Sequence, residues 1–163
     1  MNPRQLAEFK NMKKTMEPNP SFHKGTHSKS YPKPLNRFKS SSMVSDLIYV
    51  ADKQVVLFAY KQSELLIDCK FYAYWGTLID GKFTPIMIVH YHPSHKGMHA
   101  KVPCKTDRDY TSRELPGAPE LQIHKDKLPD MRTERGINEL ITLFCKSAGI
   151  MIQNASNNQL SLF

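Results

Sequence analysis

Residues 65–92 read LLIDCKFYAYWGTLIDGKFTPIMIVHYH, a pattern typical of two strands joined by a tight turn. Apolar side chains alternate with polar or aromatic ones from Leu65 to Trp75, which predicts a long half-buried strand. The pair Asp80-Gly81 favours a two-residue hairpin turn, because both residues tolerate a positive φ. Phe83–His92 then supplies the returning strand, in which Pro85 indicates an edge or a bulge. The stretch therefore predicts an antiparallel hairpin.

The flanking sequence extends this hairpin into a larger unit. Leu47–Ala51 and Gln54–Tyr60 are strand-like runs separated by the turn Asp52-Lys53. Leu121–His124 is one more short strand candidate. Further on, apolar residues recur at helical spacing before Gly149, a suitable helix stop. They are Ile137, Leu140, Ile141, Phe144 and Cys145. The predicted fold class is α+β, a small antiparallel meander of about four or five strands covered by a C-terminal helix.

Most of the positive charge lies at the N-terminal end. Residues 1–45 hold nine Lys or Arg and two Glu, a net +7 of the chain's +8. A short amphipathic helix is predicted over residues 3–16, followed by a Pro- and Ser-rich arm that is extended or partly disordered. Basic arms suit nucleic-acid phosphates, although a solvated arm is the alternative. The candidate DNA contacts are Lys10, Lys13, Lys14, Lys24, Lys29, Lys33, Arg37 and Lys39.

This composition predicts three parts: residues 1–45 with the helix and basic arm, an α+β domain over 46–152, and a flexible tail over 153–163. A mean hydropathy of −0.50 and the lack of a long apolar run argue against a membrane partner. The N-terminus has no signal-peptide pattern, and three widely spaced cysteines favour reduced thiols. We therefore expect a cytoplasmic protein. The phosphate-binding glycine motifs are absent, so no nucleotide cofactor is expected.

Histidines are concentrated in residues 90–99, HYHPSHKGMH. On a strand His90 and His92 face the same side, a common way to present two imidazoles to one metal ion. The metal candidates are His90, His92 and His99, and a divalent metal is the only cofactor that this pattern suggests. The wider set of catalytic candidates is His90, His92, His95, His99 and His124.

The same histidines fit two other interpretations. Imidazoles titrate near neutral pH, so one histidine as base and another as acid could cleave a phosphodiester without a metal. Lys96, Lys101 and Arg108 are near in sequence and could hold the phosphate. Alternatively, the histidines are only solvent-facing residues of a hairpin. The sequence leaves open whether the protein is an enzyme.

The chain ends in Gln159-Leu160-Ser161-Leu162-Phe163, preceded by the polar stretch QNASNN over residues 153–158. A polar stretch without periodicity is typical of a flexible tether. The terminal pentapeptide resembles the motif by which bacterial DNA polymerases and repair factors bind the sliding clamp of the replisome, and all five positions match. The resemblance covers these five residues and implies a partner. It assigns the clamp contacts to Gln159, Leu160, Ser161, Leu162 and Phe163.

The resemblance predicts a bacterial or phage protein that binds the sliding clamp through its tail. Such a protein acts either as a replication or repair accessory or as a clamp-blocking replication inhibitor, in the manner of a toxin or phage protein. The basic arm would add a contact to DNA. The alternative is a small histidine-dependent nuclease or ribonuclease toxin, with or without a metal, and the general plan of hairpin, histidine loop and helix is similar to compact ribonuclease toxins.

Overall fold

The computed structural model describes residues 3–93, 97–102, 109–111 and 129–154, with the backbone alone for 109–111. Within these residues the chain forms an eight-stranded antiparallel sheet, a two-stranded parallel sheet and two α-helices. The helices are α1 (Pro3–Asn11) and α2 (Glu134–Ala148). The strands are β1 (Thr15–Met16), β2 (Phe22–Lys24), β3 (Met43–Ser45), β4 (Ile48–Ala51), β5 (Gln54–Lys61), β6 (Lys70–Ile79), β7 (Lys82–His92), β8 (Gly97–Lys101), β9 (Asp109–Thr111) and β10 (Met151–Ile152).

The hairpin β6–β7 lies at the centre of the large sheet and confirms the turn that the sequence predicted. Asp80 and Gly81 have φ values of 49° and 71°, the two positive angles of a type I′ turn. The register shifts at Gly76, which lies opposite Pro85, so the predicted bulge is present. A Cβ at Gly76 would lie 2.4 Å from the carbonyl oxygen of Thr84. Glycine is therefore required where the two strands approach at the bulge.

The first strand of the hairpin starts later than its sequence pattern predicted. The alternation suggested a strand over Leu65–Trp75, whereas β6 begins at Lys70. Leu66–Asp68 forms a 3₁₀ turn, closed by a 3.0 Å hydrogen bond from the backbone N–H of Asp68 to the oxygen of Leu65. This segment satisfies its backbone locally instead of pairing with a neighbouring strand, and Leu65 is 60% exposed. The prediction was wrong for this turn.

The α+β class and the antiparallel sheet are confirmed, and the sheet has more strands than predicted. The order of the strands in the sheet is β2-β3-β5-β6-β7-β8-β9, and β4 is an additional antiparallel partner of β5. The turn between β4 and β5 falls at Asp52-Lys53, as predicted. The additional strands come from the arm, which supplies β2 and β3, and from the region after β7. The predicted strand over Leu121–His124 lies outside the described residues.

One face of the sheet carries the predicted C-terminal helix. Thr133 caps α2 by accepting a 3.0 Å hydrogen bond from the N–H of Gly136, and Gly149 ends it with a φ of 67°. The five apolar residues predicted at helical spacing are all buried here. Phe144 meets Phe58 of β5 edge to face, with ring centroids 5.6 Å apart. The main hydrophobic core therefore lies between α2 and the sheet.

The opposite face is covered by the arm itself, where the sequence predicted an extended or partly disordered segment. Besides β2 and β3, the arm forms a 3₁₀ helix over Gly25–Ser30. Leu35 and Val44 are fully buried against β5 and β6, and Phe38 packs on Tyr74 with centroids 6.1 Å apart. These few apolar residues tie the Pro-rich segment to the sheet, because each removes a large side chain from water.

The first helix is shorter than predicted, since α1 ends at Asn11 and Met16 belongs to β1. This short strand pairs in parallel with β10, so the two ends of the described chain meet. Among the described residues, no helix has the length and apolar character needed to cross a bilayer. Cys69 and Cys145 are buried free thiols, as the sequence suggested, and Cys104 lies outside the described residues.

A candidate functional site of three histidines

Three of the predicted histidines come together at one end of the arm-covered face. His90 and His92 project from β7 on the same side, and His99 of β8 lies directly opposite His90 in the strand pairing. The antiparallel pairing of β8 with β7 brings His99 beside His90, as the predicted site required. The structure therefore unites the three predicted metal candidates, whereas His95 and His124 lie outside the described residues.

The three imidazoles form a compact triangle. Ring centroids of His90 and His99 are 5.1 Å apart, those of His92 and His99 5.6 Å, and those of His90 and His92 6.0 Å. One nitrogen of each ring lies within 4.8 Å of a nitrogen of the other two. A zinc ion with Zn–N bonds of about 2.0–2.1 Å holds its ligand atoms roughly 3.4 Å apart, so modest side-chain rotations would suffice to bring these nitrogens to one metal.

The environment keeps His90 neutral. Burial, followed by the charges of His99, His92, Lys101 and Arg37, lowers the pKa of His90 to about 4. Its Nε2 is buried and has no hydrogen-bond partner among the described residues. A neutral imidazole with an available nitrogen can ligate a metal or accept a proton. The inner histidine of the cluster is thus in the form that both predicted chemistries require.

Two tyrosines of β6 form the wall next to the histidines. Tyr72 meets His90 and His92 edge to face, at centroid distances of 5.0 and 5.4 Å, and Tyr74 lies 6.2 Å from His90. Phe38 of the arm packs on Tyr72 at 6.1 Å. Phe38 thus packs on both tyrosines, of which Tyr74 is buried and Tyr72 half-buried.

Two cations complete this site, and both act on His90. Lys101 follows His99 on β8 and is exposed, and Arg37 is supplied by the arm. Positive groups next to imidazoles favour an anionic ligand such as a phosphate, and they weaken the attraction for a metal cation. Lys96 and Arg108, the other predicted phosphate contacts, lie outside the described residues.

Most of the predicted DNA contacts lie on the folded arm, and one of the predicted contacts, Lys14, is not available. Lys14 is only 2% exposed, and its ammonium lies 5.0 Å from the Trp75 ring centroid. Its ammonium donates to the backbone oxygens of Phe9 and Lys10 in α1 and of Met12 just after it, so it has no access to a phosphate. Lys10 is half-buried, and the remaining candidates are exposed: Lys13, Lys24, Lys29, Lys33, Arg37 and Lys39.

A second polar cluster was missed at the sequence level. His23 of β2, His27 of the 3₁₀ helix and Asp46 after β3 converge, with each Nε2 within 3.3 Å of the Asp46 Oδ1. The histidines are four residues apart, a spacing that carries little information in a segment assumed to be disordered. Asp46 comes close only because β3 pairs with β2.

The five clamp-motif residues lie outside the described residues, so their surroundings are not part of the structure. No protein-family model matches the chain, and searches of curated proteins and of solved structures find no match either. What this protein does must therefore be inferred from its own residues.

Proposed function

We propose that this protein binds the bacterial sliding clamp through Gln159–Phe163. The observation that carries the proposal is the match of all five residues to the clamp-binding motif. Leu160, Leu162 and Phe163 can each contribute roughly 1.5–3 kcal/mol by burial in an apolar groove, before the ordering cost. The amide of Gln159 both donates and accepts, so it can fix the register of the peptide at the rim of that groove.

The place where the described chain ends supports an accessible peptide. Gln153 and Asn154 follow β10 and are exposed. The backbone N–H of Gln153 donates a 2.9 Å hydrogen bond to Met16, which anchors the start of the tail at the surface. Five residues lead from Asn154 to Gln159, and a fully extended chain of that length spans about 17 Å. This length is enough to carry the motif away from the domain and into a groove on another protein.

The exposed basic residues of the arm supply a second contact in this proposal. Lys24, Lys29, Lys33 and Lys39 are exposed, and the segment that carries them is packed on the sheet through its apolar residues. Clamp-bound DNA would meet a preformed positive surface, and the affinity for it would fall with salt. Two weak contacts on one chain raise the overall affinity through effective concentration.

The physiological role then depends on what the folded domain does at the clamp. As an accessory, the protein uses the clamp to reach DNA. As an inhibitor, it occupies the clamp groove and excludes polymerases that use the same motif. Either role places the protein in the cytoplasm of a bacterium, in its own right or encoded by a phage.

A competition experiment tests the docking proposal. The labelled full-length protein is bound to purified bacterial clamp, and an unlabelled peptide of residues 153–163 is added. We expect complete displacement, and none by a matched peptide with alanine for Leu162 and Phe163. If the full-length protein does not bind, or remains bound at saturating peptide, the tail is not its docking element.

The convergence of His90, His92 and His99 favours a second function, cleavage of RNA. We infer that one imidazole takes the proton of a ribose 2′-hydroxyl while its oxygen attacks the phosphorus. A second imidazole gives a proton to the departing 5′-oxygen. The bond from phosphorus to the 5′-oxygen breaks, which leaves a 2′,3′-cyclic phosphate and a 5′-hydroxyl. Arg37 and Lys101 would hold the phosphate charge. A metal bound by the three histidines would serve the same reaction as a Lewis acid.

The rate of cleavage of a single-stranded RNA tests this second function. His90→Ala and His99→Ala should each slow cleavage by at least about 10²-fold, the usual contribution of acid–base catalysis. DNA of the same sequence should remain intact, since it lacks the 2′-hydroxyl. The control His27→Gln, in the other histidine cluster, should keep the full rate. A wild-type protein without activity, or a His90→Ala variant with the wild-type rate, excludes this function, and a chelator distinguishes its metal-dependent form.

A further inference from the structure

His23, His27 and Asp46 form a donor cluster that neither proposed function uses. The Nε2 atom of His23 lies 3.2 Å from the Oδ1 atom of Asp46, and that of His27 lies 3.3 Å from the same oxygen. The two imidazole rings stack at a centroid distance of 4.2 Å, with an angle of 28° between their planes. Both rings therefore direct the same nitrogen toward one carboxylate.

These distances are those of ligand atoms around a single metal ion. A tetrahedral ion with bonds of 2.0–2.2 Å separates its ligand atoms by roughly 3.3–3.6 Å, and an octahedral ion by about 3.0 Å. Two imidazole nitrogens and one carboxylate oxygen suit borderline divalent transition metals such as Zn²⁺, and they suit Mg²⁺ and Ca²⁺ poorly. Three protein ligands leave at least one coordination position for water or another ligand.

The surroundings fix the cluster in place. Tyr31 packs edge to face on His27 at 5.8 Å and donates a hydrogen bond of 3.2 Å to the backbone oxygen of Ser45, next to Asp46. The Asp46 side chain is 56% exposed, which gives a metal ion a path from solvent. Asp46 also borders a surface pocket of about 370 Å³, lined by residues 15–21 of the arm and by Gln153 at the base of the tail. A metal with a free position would lie at the edge of this pocket.

The charges are favourable as well. A carboxylate among the ligands offsets part of the charge of a divalent ion, and the two imidazoles add the nitrogen donors that such an ion accepts. Contacts of this kind also exist without a metal, as an ion pair of His23 with Asp46 and a hydrogen bond between His27 and Asp46. The donor set and the shared direction of both Nε2 atoms favour a metal ion over an ion pair alone. One carboxylate oxygen faces two nitrogens, and each nitrogen can offer a lone pair to the same ion.

We propose that His23, His27 and Asp46 bind one divalent transition-metal ion of the Zn²⁺ class, which links β2, the 3₁₀ helix and the end of β3. By joining these three successive segments, the ion would stabilise the arm on the sheet. It would act as a structural ion for the basic surface, with an open position facing the pocket. This inference is independent of clamp docking and of RNA cleavage.

Isothermal titration of the full chain with Zn²⁺ tests the site. We expect the double variant His27→Gln/Asp46→Asn to bind one equivalent less than the wild type. The matched control His90→Gln/His99→Gln, in the three-histidine cluster, should keep that equivalent. Zn²⁺ should also raise the Tm of the wild type and of the control, and less that of the double variant. The proposal fails if the wild type binds no Zn²⁺, or if the double variant binds as much as the wild type.

A measurement on the unaltered protein covers the case in which a variant does not fold. Ring resonances of His23 and His27, followed by NMR during a Zn²⁺ titration of the wild type, should shift with one-to-one stoichiometry. Shifts confined to His90, His92 and His99 would place the ion in the other cluster and overturn the proposal.

Discussion

Lys14 caps the C-terminal end of α1 from within the protein. Its ammonium donates to the backbone oxygens of Lys10 and Met12, at 3.0 and 2.9 Å, and to that of Phe9, and it faces the ring of Trp75. The last carbonyls of a helix have no partner within the helix, so a buried donor here satisfies several at once. A lysine that charge counting assigned to DNA is thus a structural residue.

Replacing this lysine with methionine tests the role. Lys14→Met keeps an unbranched side chain that is one atom shorter and leaves the buried carbonyls without their donor, so we expect the free energy of unfolding at pH 7 to fall by about 1–3 kcal/mol. Chemical denaturation measures this change. The exposed neighbour provides the matched control, since Lys13→Met should change the stability by less than about 0.5 kcal/mol.

The difference in free energy of unfolding between the wild type and Lys14→Met should also depend on pH. Burial lowers the pKa of Lys14 from its ordinary 10.5 to about 8, so between these values the folded state binds fewer protons than the unfolded state. The free energy of unfolding contributed by this group therefore rises with pH from about 8 to about 10.5. The difference in stability between wild type and Lys14→Met should widen over this range. Parallel pH profiles would show that the ammonium is not desolvated.

At the level of the elements, the arm is a part of the sheet. Leu35 lies between β2 and β3 in the chain and is fully buried against the face that bears Leu57 and Tyr74. The truncation Leu35→Ala should therefore lower the free energy of unfolding by about 2–5 kcal/mol, as expected for a buried leucine. Leu65→Ala, the same change at a side chain that is 60% exposed, should cost less than about 0.5 kcal/mol. Equal effects of the two changes would mean that the arm is not packed.

Elements that depend on local sequence signals were predictable, whereas elements that depend on contacts with distant residues were not. The turn at Asp80-Gly81 and the apolar face of α2 are local signals, so both were predictable. The arm depends on a few apolar residues such as Leu35 and Val44, whose burial needs a distant sheet. In a stretch rich in Pro, Ser and Lys, composition predicts disorder, and only the tertiary contacts override it.

The two histidine clusters show the same difference. His90, His92 and His99 were predictable because a strand alternation and a short return loop suffice to bring them together. The contact of His23 and His27 with Asp46 requires the pairing of β2 with β3, and no local sequence pattern indicates that pairing. The structure thus reveals the cluster of His23, His27 and Asp46 in and next to the arm, the segment for which the sequence predicted partial disorder.

At the scale of the whole molecule, both faces of the large sheet are covered, and the two faces carry different kinds of residues. The helix face holds the main core. The opposite face carries the three-histidine cluster and is covered by the arm, which contributes His23, His27 and five exposed cations: Lys24, Lys29, Lys33, Arg37 and Lys39. The tail leaves from β10, which pairs with β1 at the start of the arm. The start of the tail and the start of the arm therefore lie side by side at the surface.

The dissociation constant for purified bacterial clamp, measured for the wild type and for Leu162→Ala/Phe163→Ala, tests the clamp proposal most directly. The two truncations remove the apolar anchors of the motif and leave the described domain unchanged. We expect the variant to bind at least about tenfold more weakly, a loss of about 1.4 kcal/mol or more. A control variant in the preceding tether, Asn157→Ala/Asn158→Ala, should bind like the wild type. Equal dissociation constants for wild type and Leu162→Ala/Phe163→Ala, or no binding by either, would contradict the proposal.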